Sequence, residues 1–251
     1  TRMPVPIVHL DIHCAEPGYF VAADNEAQGR IIAELAIARG ARHIAVVGRA
    51  AFMQLTLRVL GIHRALAARP DIKIEVVDAG EWNTAADGYS LGARLAARPA
   101  EERPDFVIGL TDVLAAGVIS AFVDEGLNVP RDVKVAGCDG NPLAWSGPIP
   151  LTTVAPPGYE IGRKGVQLLI EQIEKRRPTK PTRVRVGSAA RPVTTVVATD
   201  DINRQETVRP FLLERWSTHN PSDRNVAEVA TSDTSATAST QSPDINLGAY
   251  L

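Results

Sequence analysis

Cysteine is nearly absent from this sequence, with two in 251 residues, and Cys14 and Cys138 are far apart and outside any metal-ligand spacing. That excludes a disulfide framework and a cysteine-built metal centre, and it fits a reducing, cytoplasmic compartment. The five histidines, His9, His13, His43, His63 and His219, make no i, i+4 pair and adjoin no cysteine or carboxylate set with ligand spacing. His9 and His13 do bracket Asp11, but alternate strand residues more often line one packed face than hold a metal. An excess of charge of one sign is lacking too. Lys and Arg number 27 against 29 Asp and Glu and are scattered, leaving a net charge of -2 and no footprint for nucleic acid. If the biology involves DNA, these residues do not bind it. No apolar run approaches the length of a membrane span, and the opening TRMPVPIVHLD has no signal-peptide pattern. Catalytic signatures are equally missing. No Gly-x-Gly-x-x-Gly follows a strand, and there is neither a Gly-x-x-x-x-Gly-Lys nor a Gly-x-Ser-x-Gly elbow. The chain therefore reads as a non-enzyme with no cofactor.

What is present is a hydrophobic fraction of 45%, enough for a proper core, arranged in a repeating order. A strand at 5–10 ends in Asp11, and a polar loop follows. Asp24 and Asn25 offer an N-cap for an amphipathic helix over 26–39, closed by Gly40. Strands at 43–48, 72–77, 105–110 and 133–136 then alternate with helices at about 54–68, 85–97 and 113–125. Strands apolar on both faces, each followed by a helix, predict an α/β fold with a doubly wound parallel sheet. After Val154 the Ala-Pro-Pro-Gly segment breaks the period, a helix at 159–175 follows, and β-rich pieces come at 183–186 and 193–198. The sequence thus divides into a remnant strand and crossover (1–20), an α/β lobe (21–154), a crossover with returning helix and closing strands (155–202), and a Ser-, Thr-, Ala- and Asp-rich disordered tail (203–251). Phe211, Leu212, Leu213 and Trp216 suggest a short docking helix ahead of that tail. Thr1 is not a natural start, and the chain opens almost inside a strand.

Open α/β sheets place ligands at the carboxyl ends of their strands, and the informative residues sit there. The strand through Val133 and Ala136 runs into Gly-Cys-Asp-Gly, delivering Asp139 to the sheet rim, where it either meets a ligand or caps the Asp-Gly-Asn-Pro turn. Asp11 is a second strand-end carboxylate. Trp82 follows the strand at 72–77, Thr111 and Asp112 follow the strand at 105–110, and Arg58 lies in the loop-to-helix region after the strand at 43–48. Carboxylates with a bidentate Arg hold vicinal hydroxyls, and an exposed Trp is a platform for the apolar face of a ring. That is sugar-type recognition without catalysis. Each residue also has a plainer role: Arg58 as a solvated helix residue, Trp82 as a lid over the core, and Asp112 as the N-cap of its helix, the reading preferred for Asp112.

The ordered set of PIVHLD, AADNEAQGR, ARHIAVVG, TLRVLGIHRAL, GEWNTAADGY, TDVLAAG, EGLNVPRDVKVAGCD and PLTTVAPPGYEIGRKGVQLL resembles the ligand-binding core of the LacI family of bacterial transcription regulators, from about Val5 to Lys175. The resemblance implies a periplasmic-binding-protein-like fold of two α/β lobes joined by three crossovers, with an effector between them and a helix-turn-helix headpiece in front. It implies effector contacts at Asp11, Arg58, Trp82 and Asp139. Thr111 stands where many members have Asn, Cys138 where an aromatic is usual, and Pro156 where Gln is common, so the pocket's selectivity departs from the common pattern. The headpiece and most of one lobe are expected ahead of Thr1, which would leave apolar faces exposed on the PIVHLD strand and the Tyr159 helix and make the chain marginally stable or prone to associate.

The function so implied is an effector-sensing domain, acting as a homodimer, that binds a small carbohydrate-like ligand and thereby alters the headpiece's hold on operator DNA. A periplasmic sugar-binding protein of an ABC transporter is the alternative, and an enzyme using Asp139 or Asp11 as acid-base groups is the third reading.

Overall fold

The structure, a computed structural model, describes residues 5–12, 18–78, 82–175, 182–186, 189–193 and 204–219, with 182–186 and 189–193 described as backbone. In chain order the elements are β1 (Val8–Leu10), β2 (Tyr19–Ala23), α1 (Asn25–Ala38), β3 (His43–Val47), α2 (Met53–Leu66), β4 (Lys73–Val77), α3 (Ala85–Ala96), β5 (Phe106–Gly109), α4 (Asp112–Asp124), β6 (Lys134–Cys138), the single turn α5 (Leu143–Ser146), β7 (Thr152–Ala155), α6 (Gly158–Lys175), β8 (Thr182–Val186), β9 (Ala189–Val193), β10 (Arg204–Val208) and β11 (Phe211–Leu213).

Among the described residues the larger sheet has the order β4-β3-β5-β6-β7-β11, parallel throughout except for β11, which runs antiparallel to β7 with Leu212 opposite Val154. Strands β3 and β5 are buried along their whole length, as expected of strands covered on both faces. The core is continuous from Ile44 and Val46 through Phe106 and Ile108 to Val135 and Val154. The chain leaves β3 toward β4 and then returns across β3 to β5, so the winding reverses between β3 and β5. Helices α1 and α2 pack on each other, as do α3 and α4, and right-handed crossovers place the two pairs on opposite faces. The doubly wound α/β class read from the sequence is the one observed.

Local signals explain most element ends. Asp24 caps α1 by accepting the Ala27 amide at 2.9 Å, and Gly40, at φ 74, closes it. Helix α3 starts with a capping box in which Thr84 and Asp87 each accept the other's backbone amide. Helices α1 and α2 cross at close range because residue 29 is glycine: a Cβ there would run into the Arg58 carbonyl. That close approach seats α2, and with it the Arg58 side chain, against the sheet.

A smaller parallel sheet, β1-β2-β10, packs against α6, with Val21, Ala23, Ile161 and Leu168 at its centre. Val5, Ile7, Tyr159, Val166, Ile170 and Ile173 are exposed, which matches the apolar faces anticipated for this strand and helix.

Three expectations change. The polar loop read after Asp11 contains β2, a five-residue strand that pairs on both sides, so the boundary between the sheets falls at Asp24 and not at residue 20. The tail boundary at 203 is too early, because Arg204–Val208 pairs along β2 and residues 211–219 join the larger sheet. The Ser217 hydroxyl donates to the Val135 carbonyl at 2.6 Å and accepts the Thr152 amide at 2.8 Å. Phe211–Leu213 is accordingly a strand and not a helix: the open edge of β7 supplies hydrogen-bond partners that local propensity does not register. Of the two closing strands, 183–186 lies within β8, whereas 193–198 overlaps only the last residue of β9 and otherwise lies outside the described residues. The remainder of the tail, 220–251, also lies outside them.

Substituting Gly29→Ala should push α2 away from α1 and lower stability by about 1–3 kcal/mol, seen as a lower urea midpoint with an unchanged slope.

Candidate ligand-binding site

Arg58 projects from α2 beneath the carboxyl ends of β5 and β6 and is only 6% exposed. Its Nε donates to Asn25 Oδ1 at 3.0 Å, its Nη1 to the Leu110 carbonyl at 2.6 Å, and its Nη2 reaches Asp139 Oδ1 at 2.7 Å. It is not the solvated helix residue of the plainer reading. Burial works against its charge, yet its pKa is held above the ordinary value by the anionic groups around it: Cys138 were it ionised, Asp139 and Asp11. Asp139 sits at φ 118, in a region that favours glycine, with its side chain partly open to solvent. Burial raises its pKa and the Arg58 guanidinium opposes that shift.

Asp11, at the end of β1 with φ 55, accepts the Ala23 amide at 3.3 Å through its carboxylate, and its carbonyl accepts Gln54 Nε2 at 3.3 Å. It adds negative potential to the Arg58–Asp139 pair. His9 is exposed, and His13 and Cys14 lie outside the described residues.

Above this polar floor is an open cavity of about 780 Å³ lined by Ile12, Phe52, Met53, Trp82, Thr111 and Asp139, among others. Trp82 is 73% exposed and therefore no lid over the core, and Phe52 is 62% exposed. Phe52 was not singled out from the sequence. Its signal, an aromatic just before a helix at a strand's carboxyl end, was present but weaker than that of Trp82. Asn83 was also missed. At φ 53, its side chain accepts the Arg49 amide at 2.7 Å and donates to the Arg49 carbonyl at 3.0 Å, tying the Trp82 loop to the loop before α2.

The structure reverses the roles of Thr111 and Asp112. Thr111 is the N-cap of α4, its hydroxyl accepting the Leu114 amide at 3.3 Å while the residue also borders the cavity. Asp112 is the first helical residue and is 0% exposed; its Oδ2 accepts the Asn141 amide at 2.7 Å, and its Oδ1 has no partner. Burial pushes its carboxyl up to about 7, with Thr153 and the Asn141 amide opposing the shift. Cys138 is a buried free thiol, pushed by burial up to about 12. Among the described residues, no group of three or more His, Cys, Asp or Glu could hold a metal ion, and no helix is long and apolar enough to cross a membrane.

The Arg–carboxylate pair stands at the winding reversal of a parallel sheet, beside a cavity with exposed aromatic walls, the place where open α/β sheets bind their ligands. The family described as periplasmic binding protein-like domain matches residues 33–195, and the chain belongs to that family. Within it, the likeness is to the ligand-binding part of LacI-type regulators. The chain is 30% identical over 173 residues to the HTH-type transcriptional repressor PurR of Aliivibrio fischeri, covering 68% of this chain and 51% of the relative. It is likewise 30% identical over 179 residues to the ribose operon repressor of Halalkalibacterium halodurans, covering 70% and 52%. A LacI family transcriptional regulator from Enterococcus faecium, solved with bound ribose, shares the fold with a TM-score of 0.66 at 20% identity, covering 84% of this chain and 70% of that one. The chain spans about half the length of the curated relatives it matches.

Because the folded chain holds a proton on Asp112 that the unfolded chain releases, Asp112 makes stability fall as pH rises from the ordinary carboxylate range, about 4, through about 7. Asp112→Asn should remove that part of the slope and exceed the parent's stability at pH 8 by about 2–4 kcal/mol, measured by denaturant unfolding at a series of pH values.

Proposed function

We propose that this chain is the effector-sensing domain of a LacI-type transcriptional regulator, and that a small carbohydrate-like ligand binds at Asp11, Arg58, Trp82, Thr111 and Asp139. The observation that carries the reading is the Arg58–Asp139 pair, 2.7 Å apart, in which Asp139 lines the cavity and Arg58 holds it from behind. A guanidinium already anchored by Asn25 and the Leu110 carbonyl cannot swing away, so the paired carboxylate, partly open to solvent, presents acceptors at a set place. Vicinal hydroxyls match such acceptors, and Trp82 and Phe52 suit the flat face of a ring.

Ligand binding regulates only if two domain arrangements bind the ligand unequally. In this reading the ligand draws a second lobe onto the cavity, the change passes through a homodimer, and a helix-turn-helix headpiece contacts operator DNA. The chain then acts in the cytoplasm as a sensor and turns over no substrate. That the named relatives are repressors favours this reading over a transporter's periplasmic binding protein.

A thermal-shift screen of the full chain against sugars and nucleosides tests it. A true ligand at one hundred times its Kd stabilises by about 2.7 kcal/mol. The shift should vanish in Asp139→Ala and Arg58→Ala, and Trp82→Ala, altering an exposed residue, should weaken affinity about tenfold with the fold intact. Shifts insensitive to all three changes, or none with any compound, would sink the proposal.

A further inference from the structure

Behind the cleft, Asp112 holds the loop that carries Asp139. The Asp112 carboxylate accepts the Asn141 amide, two residues beyond Asp139, and the Asp139 carboxylate lies within its electrostatic reach. Three successive amides of that loop are held: Asp139 donates to the Val154 carbonyl at 3.0 Å, Gly140 to the Thr153 hydroxyl at 3.1 Å, and Asn141 to Asp112 Oδ2 at 2.7 Å. The Thr153 side chain favours the ionised form of the Asp112 carboxyl group. Asp112 lies so close to β6 that a Cβ at residue 137 would overlap its Oδ1, so Gly137 is what admits it. This clasp keeps Asp139 in its unfavourable backbone conformation and points its carboxylate at Arg58.

We propose that Asp112 is a positioning residue for the ligand cleft, and that its ionised form holds the Asp139 loop in the binding geometry while its protonated form loosens it. The proposal rests on the cleft reading above for its effect on ligand, but not for its effect on the loop. A neutral amide at 112 would still accept the Asn141 amide and would avoid the cost of a buried charge. What the carboxylate adds is a charge-assisted hold on the Asn141 amide, which is stronger than a neutral one. Its pKa, pushed up to about 7, places the change in the neutral range.

The groups facing Asp112 permit this. Arg58 from α2 and Arg215 from the segment after β11 remain cationic, and Cys138 from β6 remains a thiol through that range. The Asp139 carboxyl also faces Asp112, its pKa raised by burial with Arg58 opposing the shift. With Asp112 ionised the loop is tight, so affinity should rise with pH through about 7.

The test has two arms on the full chain. In the first, the Gly140 and Asn141 amide resonances are followed by NMR between pH 5.5 and 8.5 without ligand. They should move with a midpoint near that of the Asp112 carboxyl carbon in the parent, and stay still in Asp112→Asn. Amides that do not titrate in the parent, or that titrate equally in the variant, overturn the proposal; the parent curve alone suffices should the variant fail to fold. In the second arm, D-ribose affinity is measured at pH 6 and pH 8. The parent should bind roughly tenfold more tightly at pH 8, the scale of one hydrogen bond to a charged group, and Asp112→Asn should bind equally at both. Parent binding that is flat with pH overturns the affinity claim. If ribose binds at neither pH, the carbohydrate reading of the cleft fails, while the first arm still decides the role of Asp112.

Discussion

The cleft depends on one buried guanidinium. Arg58 is contributed by α2, yet its three hydrogen-bonding edges are taken up by Asn25 at the start of α1, the Leu110 carbonyl after β5, and Asp139 after β6. Removing it would leave a half-buried carboxylate, a buried carbonyl and a buried amide without their donor, which is why a single side chain couples four separate chain segments. The glycine at 29 is part of the same arrangement, since the close crossing of α1 and α2 brings Arg58 into line with the sheet.

Around that centre the polar groups fall into two layers. Asp11, Arg58 and Asp139 are in electrostatic contact with one another, and Asp139 lines the cavity. Beneath them Asp112, Thr153 and the amides of residues 139–141 form a second network that presents no atom to solvent at Asp112. Burial in that second layer carries a stability cost, visible as the raised pKa of Asp112, and the same burial strengthens each hydrogen bond made there. The aromatic walls, Phe52 and Trp82, are the opposite case: both are exposed, and their loops are joined through Asn83 and Arg49.

Much of this was legible in the chain itself. The strands at 43–48, 105–110 and 133–136 announced themselves as apolar runs bounded by turn residues, and the helix ahead of them by its cap at Asp24. The carboxylate, guanidinium and indole of the cleft could be named because parallel sheets leave the loops after their strands as the natural place for function. Other elements left no local trace. Strand β10, Arg-Gln-Glu-Thr-Val, has no apolar alternation and exists because the edge of β2 offers it a ladder. Strand β11 reads as helix or strand with equal ease until β7 lies beside it. Thr111 and Asp112 are both good caps, and the choice between them turned on which oxygen met a distant amide at Asn141.

The sequence by itself determined the α/β order, the helix ends and the set of polar residues delivered to strand ends, because hydrophobic period, capping and turn chemistry act over a few residues. Only the tertiary structure decided that Arg58 is buried and paired, that Asp112 stands behind the cleft and not at its helix cap, and that residues 204–219 belong to the sheets. Those outcomes rest on contacts between residues tens of positions apart, where desolvation and hydrogen-bond geometry depend on the packed neighbours.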